Sequence, residues 1–154
     1  MKPRTRQRGV ALVELGIAIF VLISIAFGIT EFGRAIYQYN ILAKATRDAA
    51  RYLSMRDATD AAAKDQARCL VVHGNPTCTG APLVPGLTTA MVSICDALAC
   101  PADHAAQGAG PVLNLVSVTI GGPNAAPYTF DSLVSFVVPD FAFGPIGATM
   151  KQVL

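Results

Sequence analysis

The stretch RGVALVELGIAIFVLISIAFGITEFGRA, residues Arg8 to Ala35, decides how the rest of the chain is read. Every residue from Leu15 to Ile29 is apolar or small, and Val10 to Val13 extend the run. At ~1.5 Å of helical rise per residue the run covers about 30 Å, the thickness of a bilayer's hydrocarbon core. One carboxylate, Glu14, interrupts its beginning.

The flanks of this run are electrically unequal. Lys2, Arg4, Arg6 and Arg8 precede it with no acid among them. Of twelve basic residues in all, eight are left after this block, against ten acidic ones. A basic block on the N-terminal flank holds that end in the cytoplasm and sends the remainder outward. Nucleic-acid binding is set aside, because it needs cations spread over a folded face. From Cys69 onward the chain offers only Lys151 against Asp96, Asp103, Asp131 and Asp140. With 154 residues, whatever lies outside the membrane is one modest domain.

A cleaved secretory signal is the competing reading of the N-terminus, with Ala26-Phe27-Gly28 as small residues at which a signal peptidase can cut. Against it, the apolar run is longer than a usual signal core and Glu14 interrupts it. The helical pattern also continues unbroken through Gly28 into Glu31-Phe32-Gly33-Arg34-Ala35-Ile36-Tyr37.

An acid at the middle of a membrane helix costs roughly 2.5–3.5 kcal/mol, and each Leu, Ile, Phe or Val returns about 0.3–0.6 kcal/mol. The run holds enough such residues to offset Glu14, so insertion survives without explaining why the acid is there. One explanation is that Glu14 reaches the cytoplasmic headgroups and does nothing. A sharper one starts from Gly9. Cleavage between Gly9 and Val10 creates an α-amino group and makes Glu14 the fifth residue of the mature chain. A neighbouring subunit's terminal amine is then a cationic partner in a low-dielectric setting, where the attraction is strong.

The leader Arg6-Gln7-Arg8-Gly9, the following VALVE, the apolar run, TEFGRA and ATRDAARY together resemble the TadE-like family of pseudopilins from tight-adherence (Tad, type IVc) pilus systems. Ala67 to Asn75, Leu83 to Thr88 and Ala148 to Leu154 resemble later blocks of that family. The resemblance implies a prepilin peptidase cutting after Gly9, and Glu14 as the family's membrane-buried acid. It also implies partners: other pilins or pseudopilins of the same system and an inner-membrane assembly platform. Major pilins of such systems usually place Tyr after the acid and are much shorter, whereas this chain has Leu15. The implied role is therefore a minor or accessory one.

Beyond the membrane, Phe32, Ala35, Ile36, Tyr39, Leu42, Ala43, Thr46, Ala49, Ala50 and Leu53 recur at helical spacing, which predicts that the helix continues to about Ser54–Arg56. Glu31 and Arg34, three apart, form a possible pair at the outer membrane interface. Asp57-Ala58-Thr59-Asp60 predicts a turn and an N-cap. A second helical stretch follows from Ala61 to Val72, closed by Gly74-Asn75-Pro76. Ala90 to Cys95, Val112 to Ile120 and Leu133 to Val138 read as strands of a small antiparallel sheet.

Cys69, Cys78, Cys95 and Cys100 all lie on the outward side of the span, and an even count in an exported region points to disulfides. Locality favours Cys69–Cys78 and Cys95–Cys100 among the three connectivities. A zinc site with His73 and His104 is the weaker alternative, because the spacings match no common finger. No catalytic motif appears, and both histidines fall in loop-like surroundings.

The sequence thus predicts an α+β protein with four parts: a basic leader over 1–9, a transmembrane helix over 10–30, an extended amphipathic helical region over 31–73, and a small β-rich domain over 74–154. The first functional expectation is a noncatalytic pilus-assembly component, without cofactor or metal, in a bacterial inner membrane with its head periplasmic or extracellular. Small residues Gly16, Ala18, Ala26 and Gly28 permit close helix approach. The second is an anchored envelope protein whose β head binds a ligand and never enters a filament. The third, a secreted enzyme released after Gly28, is the least favoured.

Overall fold

The computed structural model describes residues 7–57, 59–104, 114–122 and 124–152. The first six residues of the expected leader, and residues 112 and 113 of one expected strand, lie outside that set.

Helix α1 runs from Gln7 to Ser54 and accounts for nearly all of the N-terminal third. Its sequence contains no proline, and in the apolar run only intrachain i→i−4 hydrogen bonds satisfy the backbone. Ser24 and Thr30 send their hydroxyls back to the carbonyls of Phe20 and Ala26, both at 2.9 Å. The helix stops where polar side chains capture the backbone. Ser54 Oγ donates to the Arg51 carbonyl, the Arg56 N–H closes on the Leu53 carbonyl, and Asp57 Oδ1 accepts from both the N–H and the hydroxyl of Thr59. Asp60 then caps α2, Ala61–His73, by accepting from the Ala63 N–H at 3.0 Å. Gly74, at φ 72° in the left-handed region, ends α2 by donating to the Leu70 carbonyl. The chain therefore breaks at residues 55–60 and folds back. Tyr52 donates to Gln66, and Tyr37, Ile41, Leu70 and Gly74 border one groove.

Downstream, a single turn of 3-10 helix at Thr89–Met91 leads into β1, Val92–Cys95. After the short α3, Pro101–His104, come β2, Leu115–Ile120, β3, Thr129–Phe130, β4, Phe141–Ala142, and β5, Ile146–Lys151. A three-stranded antiparallel sheet has the order β1-β2-β5, with Val92 opposite Ile120 and Ile120 opposite Ile146. β3 and β4 pair separately, with Phe130 opposite Phe141. Alternation in β2 buries Val116, Val118 and Ile120. These join Leu42, Ala45, Ala49, Ala50 and Leu53 of α1 and Ala63, Ala67, Val71 and Val72 of α2 in one core. Alanines on both helices bring the backbones close enough for this small sheet to seal the pair.

Two expectations are corrected, and one strand appears where none was expected. Leu133 to Val138 is not a strand. Four of its backbone donors are taken by side chains and by its own turn: Leu133 N–H by Glu31, Val134 N–H by Ser132 Oγ, and the N–H groups of Val137 and Val138 by the Val134 carbonyl. The residues are β-prone, but no sheet edge is offered to them. Conversely β5 is a strand despite its small and polar content. Gly147 is required there, because a Cβ at that position would sit 2.5 Å from Thr119 Oγ1 and 3.1 Å from the Val118 carbonyl oxygen. Finally, the packed face of α1 is rotated at its start. Phe32, Ile36 and Tyr39 are exposed, whereas Glu31 and Gln38 are buried.

Candidate functional site

Along α1, none of the residues from Gly9 to Thr30 is buried. They rise about 33 Å at ~1.5 Å per residue, which matches the hydrocarbon core of a bilayer. This is one helix long and apolar enough to cross a membrane, with a mean hydropathy of 2.7 in its most apolar window. Val10, Leu12, Val13, Leu15, Ile17, Phe20, Leu22 and Ile29 all stand free of the head.

Glu14 projects from this bare segment and shares a face with Val10, Val13 and Ile17. Among the described residues it has no hydrogen-bond or ion-pair partner. Gly9 and Val10 lie within the helix, and nothing crowds a Cβ built at Gly9. Gly16 is equally open, while Gly28 is where the head first touches the helix.

Burial starts at a charge. Glu31 is 2% exposed, the first buried residue along the described chain. Arg34 Nη2 donates to Glu31 Oε2 at 2.8 Å, and the Leu133 N–H donates to the same oxygen at 3.2 Å. Arg34 also donates to the Asp131 carbonyl and lies 4.3 Å from the centroid of the Phe130 ring. The Arg34 hydrogen bond holds the Glu31 carboxyl below the usual range, outweighing burial, with the Leu133 N–H acting the same way. The Glu31/Arg34 pair is thus a collar that ties the β3–β4 loop to α1 where the bare segment ends. Sequence spacing put the two residues together; the loop that completes the collar lies about a hundred residues away, beyond any local pattern.

An aromatic group carries that loop. The rings of Tyr128 and Phe143 stack at 5.9 Å, those of Phe130 and Phe141 lie 5.3 Å apart, and Tyr39 of α1 approaches Phe143 at 5.9 Å. The single Tyr128 O–H is shared between Gln38 Oε1 at 3.1 Å and the Pro85 carbonyl at 2.9 Å. Burial pushes the Tyr128 hydroxyl's pKa up, and the nearby Asp131 charge adds to the effect.

The cysteines are joined as Cys69–Cys78 and Cys95–Cys100. His73 Nδ1 is 3.0 Å from the Gly80 carbonyl oxygen, beside the first bridge. His104 Nε2 is 2.7 Å from Ser117 Oγ, beside the second. Cys95, Cys100 and His104 bring their ligand-type atoms within 4.8 Å of one another. Both sulfurs are bonded to each other, so neither offers the thiolate a zinc ion takes. Cys100 and His104 are four apart across α3, which is the signal that places them together. At the far end of the head, Lys64 Nζ meets the buried Asp96 Oδ2 at 2.6 Å. Burial alone pushes the Asp96 carboxyl up. The Lys64 ammonium and the N–H groups of Ala99 and Leu98 outweigh it and hold the carboxyl below its usual range.

Residues 9–51 match the model of the TadE-like protein family. The TadE-like segment covers the bare helix, Glu14, the collar pair and most of the packed half of α1. It ends before the head, so the blocks at 67–75, 83–88 and 148–154 lie outside the match. No curated protein matches the chain, and no solved structure does.

Proposed function

We propose that the protein is a minor pilin or pseudopilin for assembly of a Tad (type IVc) adhesive pilus. In this reading α1 spans a bacterial inner membrane with its N-terminus cytoplasmic, and the head stands on the outer side. Prepilin peptidase cuts between Gly9 and Val10. Neighbouring pilins bring their terminal amines to Glu14, and the inner-membrane assembly platform collects the helices. The observation that carries this is a membrane-length helix, inside a TadE-like segment, that exposes an unpartnered carboxylate. A helix anchored for its own sake has no use for such a group, since an intramembrane acid is costly unless something pairs with it. Phe32, Ile36 and Tyr37, exposed above the collar, extend an apolar surface that neighbouring helices can share. Mass spectrometry of the chain extracted from its native membrane tests the reading: a mature N-terminus at Val10 is expected, and an intact Met1 defeats it.

The second reading is an anchored envelope protein whose β head binds a ligand, and one groove bears on ligand binding, although helices rather than strands line it. A half-open groove of about 480 Å³ lies between α1 and α2, lined by Tyr37, Ile41, Lys44, Asp48, Leu70 and Leu83. It mixes an apolar floor with one charge of each sign, as small-molecule clefts do. Intact Met1 in the extracted protein supports that alternative.

A further inference from the structure

The β3–β4 loop, residues 131–140, exposes two large apolar side chains more fully than any others among the described residues of the head: Leu133 at 79% and Phe136 at 77%. They do not lie on a random part of the surface. A Cβ added at Gly28 would be 3.7 Å from Val137 Cγ1, and the Leu133 N–H rests on Glu31. The loop therefore sits against α1 across residues 28–34, level with the outer end of the apolar run.

We propose that this loop is a second membrane anchor, whose Leu133 and Phe136 enter the outward leaflet of the bilayer that α1 spans. The inference rests on the membrane-spanning reading of α1. On the helix next to the loop, Phe27 at the end of the bare segment and Phe32 within the collar are also exposed. Charge is distributed to suit an interface. Asp131 and Asp140 stand at the two ends of the loop, and residues 132–139 carry none. The backbone on either side of Ser135 and Phe136 is prepared as well, because in lipid each unsatisfied N–H is costly. Asp140 Oδ1 accepts from the Ser132 N–H at 2.7 Å, Glu31 from Leu133, Ser132 Oγ from Val134, and the Val134 carbonyl from Val137 and Val138. Arg34, bonded to Glu31 and to the Asp131 carbonyl, sets the headgroup level. A protein partner on this patch has no such placement, at the end of a membrane-length apolar segment, to recommend it. Two attachment points, the helix and the loop, restrain the tilt of the head against the bilayer, which one helix alone leaves free.

The chain contains no tryptophan, so single-tryptophan variants report their own depth. Full-length Phe136→Trp, Phe20→Trp and Leu98→Trp are placed in phosphatidylethanolamine/phosphatidylglycerol vesicles carrying lipids brominated at shallow or deep acyl positions. Leu98 is exposed beside Asp96, whose partner Lys64 lies in the first turn of α2, at the end of the head away from the collar. The expected result is a blue shift and a loss of intensity for Phe136→Trp, stronger with shallow bromines than deep ones. Phe20→Trp is quenched most by deep bromines, and Leu98→Trp by neither. If Phe20→Trp is quenched while Phe136→Trp behaves like Leu98→Trp, the loop faces water or a protein neighbour and the inference is overturned with the span intact. If Phe20→Trp is unquenched, the spanning reading fails and the inference fails with it.

Discussion

The two halves of α1 are one continuous helix with opposite relations to the rest of the chain. Residues 9–30 are apolar or small but for Glu14, and among the described residues none of them is buried, whereas residues 31–54 include charged and polar side chains and are packed against α2 and the sheet. A helix is normally buried on its apolar face. Here the more apolar half is the bare one, and packing begins at the charged pair Glu31 and Arg34. The difference teaches that two environments sort this helix. The head covers the half that water would otherwise solvate, and leaves the other half for a medium as apolar as itself.

The sharpest way to break that comparison is to change the one charge on the bare half. Glu14→Gln is expected to abolish fibre production in cells while leaving the unfolding midpoint of the head unchanged, because Glu14 is exposed and has no hydrogen-bond or ion-pair partner among the described residues. Normal fibres from that variant would sink the proposed assembly role. Next comes a matched pair of truncations, followed by denaturant unfolding in detergent. Leu42→Ala removes a fully buried side chain and is expected to cost about 2–5 kcal/mol, whereas Leu22→Ala, on the bare half, costs nothing measurable there. Equal effects would mean that the halves are not partitioned as described.

Reduction of the bridges is expected to weaken the head by about 2–3 kcal/mol for each, the longer Cys69–Cys78 loop contributing slightly more by chain entropy. Thermal unfolding with and without reductant measures it, and the helicity of the bare half is expected to persist.

Acid titration separates the collar from the far end of the head. The carboxyls of Glu31 and Asp96 are both held below the usual range. Their contribution is fully present above the unfolded-state pKa and is lost as pH falls through the folded values. Lys64→Met removes the largest of the groups that together outweigh burial at Asp96, so that carboxyl's pKa rises and the loss begins at higher pH. A melting curve against pH that is the same with and without Lys64 would contradict this. The smallest expected effect is that of Tyr128→Phe, about 1 kcal/mol, since it removes the hydrogen bond shared between Gln38 and the Pro85 carbonyl but keeps the ring stacked on Phe143.

Much of the outline was legible because it depends on short-range chemistry. Apolar length gave the bare helix, and Asp57, Asp60 and Gly74 gave the breaks, since caps and left-handed positions need particular residues within a few positions. Leu133 to Val138 misled because β-branched and aromatic residues describe what fits a pleated surface, not whether a neighbouring edge exists. Ile146–Lys151 went unread as a strand for the reverse reason. Its Gly147, Ala148 and Thr149 have weak strand character, and its place is set by backbone pairing with β2.

The sequence by itself determined a long apolar helix with an acid inside it, the turn that ends the helix, and cysteines close enough in the chain to pair locally. Each follows from interactions spanning a few residues. Only the tertiary structure decided that polar Glu31 and Gln38 face inward while Phe32 and Ile36 face out. It also decided that a loop from the far end of the chain closes over Glu31 at the edge of the bare segment. Those outcomes depend on which distant groups arrive with matching hydrogen bonds and shape, and no local pattern of residue types encodes the arrival.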